Sequence, residues 1–190
     1  MEILRFALLG LATGALYALL SQGLVLIYRG SGLLNFAHGA MAMVGAYAYY
    51  EVSGKHGQPV LVGVVVAVLL CAVLGAAIHL IILRTMRTAS PLSRVIATLG
   101  VLLILQSSAF LEFGHDPLQL PSALPTDTVH VFGYRQLSVS ADRLWIIAIA
   151  LVLSLVLSTA YRFTALGRTT TAVAENQLAA ASFGLSPDRI

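Results

Sequence analysis

Five predominantly apolar stretches, residues 6–28, 33–50, 60–83, 95–113 and 144–161, leave this chain few ways to fold. A helix crosses a bilayer's hydrocarbon core with about 20 residues at a rise of about 1.5 Å each, and each stretch approaches that length. Composition points the same way. The 190 residues are 58% hydrophobic and 10% charged, with a mean hydropathy of +0.90. A soluble domain carries roughly 25% charged residues, so this chain has too few to cover a water-facing surface. The expected fold is all-α: a polytopic transmembrane helix bundle of about five spans, in one membrane domain covering 1–190.

Several function classes fall away at once. The formal net charge of +3 supplies no basic patch for nucleic acid. Cys71 is the single cysteine, so no disulfide forms within the chain and no metal site is suggested. There is no Ser/His/Asp set at a recognisable spacing, no metal-ligand cluster and no Gly-x-x-x-x-Gly-Lys-Ser/Thr phosphate loop. The chain reads as no enzyme and binds no cofactor of its own; ATP, if it drives transport, binds another chain. The first apolar stretch exceeds the roughly 7–15 residues of a signal-peptide core and lacks an Ala-x-Ala cleavage site, so it reads as a retained span.

Orientation follows from the arginines. With the N-terminus outside, Arg29, Arg84, Arg87, Arg94, Arg162, Arg168 and Arg189 fall on the cytoplasmic side, leaving Arg5, Lys55, Arg135 and Arg143 outside. Aromatics agree: Tyr28 and Tyr161 mark inner ends, and Tyr49, Tyr50 and Trp145 outer ends. The 114–143 segment is then an extracytoplasmic loop, and the alternation along 129–139 around Gly133 suggests a small hairpin.

The second stretch opens on a polar cluster, Asn35-Phe36-Ala37-His38-Gly39. An amide and an imidazole at membrane depth each cost several kcal/mol if unsatisfied. Two readings compete. Asn35 could be an N-cap that ties down a broken or re-entrant helix start; alternatively Asn35, His38 and Gly39, with Gln22, line a translocation path, as polar residues inside membranes often do. For Gln22, Gln106 and His79, interhelical hydrogen bonding is the plainer expectation. Small residues recur at helix-packing spacing in Gly10/Gly14, Met41/Gly45, Ala42/Ala46 and Ala72/Gly75/Ala76.

After Tyr161 the character changes. Residues 172–184 are alanine-rich, helix-favouring and too short and polar to span. Gly184 reads as a helix stop, and Ser186-Pro187 as the start of another helix.

Taken in order, these residues resemble the branched-chain amino acid ABC transporter permeases, and more narrowly the subunit type carrying Asn-Phe-Ala-His-Gly. The run from Gly23 through Tyr28 and from Leu34 through Gly39, continuing Met43-Val44-Gly45-Ala46-Tyr47, is similar to the family signature. So are Thr98-Leu99-Gly100-Val101 with Ile104-Leu105-Gln106, Phe113-Gly114-His115-Asp116-Pro117, and Leu166-Gly167-Arg168 followed by Ala172-Val173-Ala174-Glu175-Asn176. The chain departs from the family at Leu178, where a glutamate is usual, at Gln177, a common proline, and at His79, where glutamate is usual near the inner end of the third span.

The resemblance implies one transmembrane half of an ATP-driven importer for branched-chain amino acids or related small polar solutes, such as amides or urea. It implies a bacterial or archaeal plasma (inner) membrane. The implied partners are a sister permease subunit, ATP-binding cassette ATPase subunits and an extracytoplasmic solute-binding protein, besides membrane lipid. Residues 172–184 match the coupling helix that docks on the ATPase, through Ala172, Glu175, Asn176, Ala179, Ala180 and Gly184. The family continues with further C-terminal spans beyond the equivalent of Ile190, so this chain resembles its N-terminal part. Two other readings stand beside it: a secondary transporter or channel half, and a non-transporting truncated remnant.

Overall fold

The apolar stretches form helices whose ends are set by local chemistry. The computed structural model describes residues 2–86, 89–114, 116, 118, 122–130, 138–164 and 167. Residues 172–184, expected to be the coupling helix, lie outside the described residues, as do 131–137 of the expected hairpin and Ser186-Pro187. The chain divides into two compact units, one drawn from Met1–Gly32 and Leu124–Ile190 and the other from Leu33–Ala123.

In the first unit, α1 (Glu2–Ser31) packs along α5 (Ala141–Phe163). Between them in sequence lies a two-stranded antiparallel sheet, β1 (Thr128–His130) with β2 (Ser138–Ser140), in which Val129 faces Val139. The sheet feeds directly into α5: Ala141 N–H donates to the Asp127 carbonyl at 2.9 Å, and the Ser140 hydroxyl donates to the Thr126 carbonyl at 3.2 Å. These bonds satisfy groups at a helix start that would otherwise be orphaned. Ala12, Val139, Ala141 and Ala150 are the buried apolar side chains described in this unit.

In the second unit, α2 (His38–Tyr49) packs against both α3 (Val60–Ile78) and α4 (Pro91–Phe113). Ala37, Ile78 and Val101 form its buried centre, with Met41, Leu74, Ile82, Leu102 and Leu105 packed around them. Ser90 caps α4 by accepting the Ser93 N–H at 3.2 Å, Pro91 supplies a preset φ at the first helical position, and Gly114 ends the helix at φ +76°. Tyr47 of α2 stacks on Phe113 of α4, with ring centroids 4.2 Å apart and planes 12° from parallel. Small residues let α2 and α3 close: a Cβ at Gly45 would stand 2.8 Å from Cys71 Sγ, and one at Gly75 would stand 3.3 Å from Met41 Cε. The expected Gly10/Gly14 face differs, since neither glycine meets a described neighbour within 4 Å.

Both α2 and α3 run on into π-helical turns, Tyr50–Lys55 and His79–Leu83. Their closing bonds skip five residues: His56 N–H to the Glu51 carbonyl at 3.3 Å, and Arg84 N–H to the His79 carbonyl at 2.8 Å. At the first turn Lys55 Nζ donates to Glu51 Oε1 at 2.7 Å, and that hydrogen bond raises the lysine pKa above its ordinary value.

Among the described residues, four helices are long and apolar enough to cross a membrane: Phe6–Gly30, Val60–Leu83, Pro91–Phe113 and Ala141–Phe163. The stretch 33–50, expected as a fifth, is different. Residues 33–37 are bend and turn, the helix begins only at His38, and its continuation carries Glu51 and Lys55. The polar cluster takes backbone that a full crossing would need. The long helices present large apolar side chains outward, among them Leu111 at 89% exposure and Leu61 at 74%. Water would penalise such faces at about 25 cal/mol per Å²; lipid does not. The protein is a multi-pass membrane protein.

Candidate functional site

The Asn35–Gly39 cluster forms a tight turn at the head of α2. Asn35 Oδ1 accepts the Ala37 N–H at 3.0 Å, the Asn35 carbonyl accepts the His38 N–H at 3.2 Å, and the Ala37 carbonyl accepts the Met41 N–H at 2.9 Å. The helix proper is preceded by Ala37, which offers no side-chain cap. Asn35 therefore is not the immediate N-cap expected from sequence. It does the same work earlier, because the Phe36-Ala37 turn stands between it and the helix and carries the orphan N–H it satisfies.

The Phe36 N–H reaches the Thr98 hydroxyl of α4 at 3.3 Å. That hydroxyl in turn donates to the Val95 carbonyl at 2.9 Å. Thr98 is 1% exposed and Asn35 5%, so the side chains that hold the turn are largely shielded from water, and losing one leaves a partner hard to resatisfy. In the sequence Thr98 stands out only as part of a family motif, since Ser93, Ser107 and Ser108 put other hydroxyls on the same helix.

His38 and Gly39 follow on α2. His38 is half-buried, and its ring makes no hydrogen bond with a described residue; Gly39 is exposed, with open space where a Cβ would stand. Asn35 keeps an amide hydrogen directed at Met41 Sδ, 4.0 Å away. The turn thus brings together Asn35, His38 and Gly39 of the expected set. Gln22 belongs to the other unit.

Gln22 does make the interhelical bond expected of it. Its Nε2 donates to Ser154 Oγ of α5, which donates to the Ala150 carbonyl at 2.7 Å. Its Oε1 is buried without a partner among the described residues. His79 and Gln106 differ from expectation: His79 is exposed at the start of a π-helical turn, and neither side chain bonds a described residue. No group of three or more metal-ligating side chains occurs among the described residues.

Beside Gln22, α1 and α5 flank an open groove of about 500 Å³. Val25, Leu26 and Leu157 give it apolar walls, while Arg29, Tyr161 and Arg162 stand at the helix ends. The Arg29 guanidinium lies over the Tyr161 ring, 5.0 Å from its centroid. Nothing in the sequence singled out this pairing.

Comparison with known proteins adds the family. The family described as branched-chain amino acid transport system / permease component matches residues 6–190. Among curated relatives, the chain is 27% identical over 193 residues to the high-affinity branched-chain amino acid transport system permease protein LivH of Salmonella typhimurium, covering 95% of this chain and 62% of that one. The LivH of Escherichia coli is 26% identical over 194 residues with the same coverage. BraD of Pseudomonas aeruginosa, described in the same words, is 27% identical over 132 residues, 65% of this chain and 42% of its own. The chain thus spans 62% of the length of the LivH relatives it matches. No solved structure matches it.

Proposed function

This chain belongs to the branched-chain amino acid transport permease family, and from that premise we propose that it is a transmembrane permease subunit of an ATP-driven importer. Its solutes are branched-chain amino acids or chemically related small polar molecules. It sits in a bacterial or archaeal inner membrane with the N-terminus outside, which puts most of its arginines on the cytoplasmic side. The observation that carries the reading is the family match from residue 6 to residue 190. The multi-pass, outwardly apolar helices support it.

In this reading the chain hydrolyses nothing. ATP is bound by separate cassette ATPase subunits, and a sister permease and an extracytoplasmic binding protein complete the assembly. The 172–184 segment docks on the ATPase through Ala172, Glu175, Asn176, Ala179, Ala180 and Gly184, passing ATPase closure to the spans as a rigid-body movement.

The signature turn divides the work at the path. Asn35 is spent on the turn itself, and Thr98 anchors that turn to α4. His38 and Gly39 stand at the more accessible end, where an uncommitted imidazole beside open space suits a passing polar solute. Gln22, in the other unit, has a buried carbonyl oxygen with no described partner and is itself a candidate for contact with a polar solute.

The test is co-purification. The full chain, expressed with its natural partners and purified by an affinity tag, is expected to retain an ATPase subunit. Replacing 172–184 by a Gly/Ser linker is expected to release it. A stable assembly that never includes an ATPase would instead support a channel or secondary transporter half.

A further inference from the structure

We propose that the groove between the C-terminal turns of α1 and α5 is a binding site for a phospholipid with a net-negative headgroup, its phosphate held by Arg29 and Arg162. Both arginines occupy the last turn of their helix and both line the one groove, so they stand at the same end of the pair and hence at the same leaflet. Neither has a carboxylate within ion-pair distance: the ion pairs among the described residues all involve Glu51. Each guanidinium lies over a ring, Arg29 on Tyr161 at 5.0 Å and Arg162 on Phe163 at 5.6 Å. Ring stacking engages the guanidinium face and leaves the edge N–H donors for a bidentate acceptor, the geometry a phosphate matches. The helix C-termini supply partial negative charge, roughly half an elementary charge each, which offsets two full positive charges only in part.

The rest of the groove selects a lipid over a soluble anion. From Arg29 it extends toward Gln22, about 10 Å deeper along α1. Val25 and Leu157 wall that distance with hydrocarbon, the surface a glycerol backbone and the first acyl carbons would cover. A zwitterionic lipid brings its own ammonium, which two guanidiniums repel; an anionic one does not. The inference needs only the membrane-spanning character of α1 and α5, and stands or falls apart from the transport reading.

Trp145 is the chain's single tryptophan, so Trp145→Phe with Leu157→Trp places one reporter at the groove wall. The full chain is reconstituted in phosphatidylcholine vesicles containing acyl-brominated phosphatidylglycerol or acyl-brominated phosphatidylcholine, and quenching gives the relative affinity of the two lipids. The expected preference for phosphatidylglycerol is roughly ten- to thirty-fold, given about fivefold for each of the two basic residues near a surface. Arg29→Gln with Arg162→Gln is expected to abolish it. Arg29→Lys with Arg162→Lys keeps the charge but not the bidentate fork and is expected to retain a reduced preference, and Arg84→Gln leaves it unchanged. Equal quenching by the two lipids overturns the proposal, as does a preference that survives undiminished in the glutamine pair. An equal fall in Arg84→Gln would mean diffuse attraction, and displacement by millimolar inorganic phosphate would mean a soluble-anion site; either result also overturns it.

Discussion

The Phe36 N–H and the Thr98 hydroxyl meet at 3.3 Å across 62 positions of sequence, joining the signature turn to the middle of α4. Because Thr98 also donates to the Val95 carbonyl, its hydroxyl is fully engaged, as giver and receiver. The turn therefore depends on an oxygen contributed by a distant helix.

Thr98→Ala removes that oxygen and leaves the Phe36 N–H without its partner in a part-buried site, a loss of about 1 kcal/mol. Thr98→Ser keeps the hydroxyl and is expected to cost clearly less. Unfolding in mixed detergent micelles measures both; an equal cost for the two would mean that the methyl group, not the hydrogen bond, holds the turn.

Asn35 and His38 separate stability from transport. Asn35→Ala loses the bond to the Ala37 N–H and is expected to cost about 1 kcal/mol. Asn35→Asp keeps an acceptor but buries a charge, so it should be the more damaging of the two. His38→Ala is expected to change stability by no more than about 0.5 kcal/mol while reducing solute uptake in the assembled transporter. Undiminished uptake in His38→Ala would return the imidazole to a purely structural place.

Close packing of α2 on α3 makes Gly45 sensitive. An added methyl would stand 2.8 Å from Cys71 Sγ, so Gly45→Ala is expected to cost about 1–3 kcal/mol. Cys71→Ala removes the opposing sulfur, and the double variant should recover most of the loss. A double-mutant cycle with no coupling would contradict this contact.

The Gln22–Ser154 bond should be worth little. Interhelical hydrogen bonds in membranes average about 0.6 kcal/mol, and Gln22 carries a buried Oε1 with no described partner. Gln22→Leu removes the bond and the unpaired oxygen together, and is expected to be near neutral by thermal unfolding in micelles. A large loss would mean that Oε1 has a partner outside the described residues.

How far the sequence carried depends on the kind of information each element needs. Apolar length is a local property, so Val60–Leu83, Pro91–Phe113 and Ala141–Phe163 were legible as potential crossings. The cap of α4 was present in Ser90 and Pro91 as residues, and the Gln22 bond could be anticipated in kind though not in partner. The stretch 33–50 misled because its mean apolarity hides a turn that consumes residues 33–37 before the helix begins. The π-helical ends of α2 and α3 carry no signal in periodicity. Thr98, Ser154 and the Arg29–Tyr161 pair were out of reach, since each acts through a partner far along the chain, and spacing says nothing about which helices touch.

The central claim, a conduit subunit driven by a separate motor, is tested most directly by uptake of radiolabelled leucine into vesicles containing this chain, its natural partner subunits and the binding protein. The account predicts accumulation that requires ATP and disappears when this chain alone is omitted. ATP-driven uptake that continues at the same rate without the chain would contradict it.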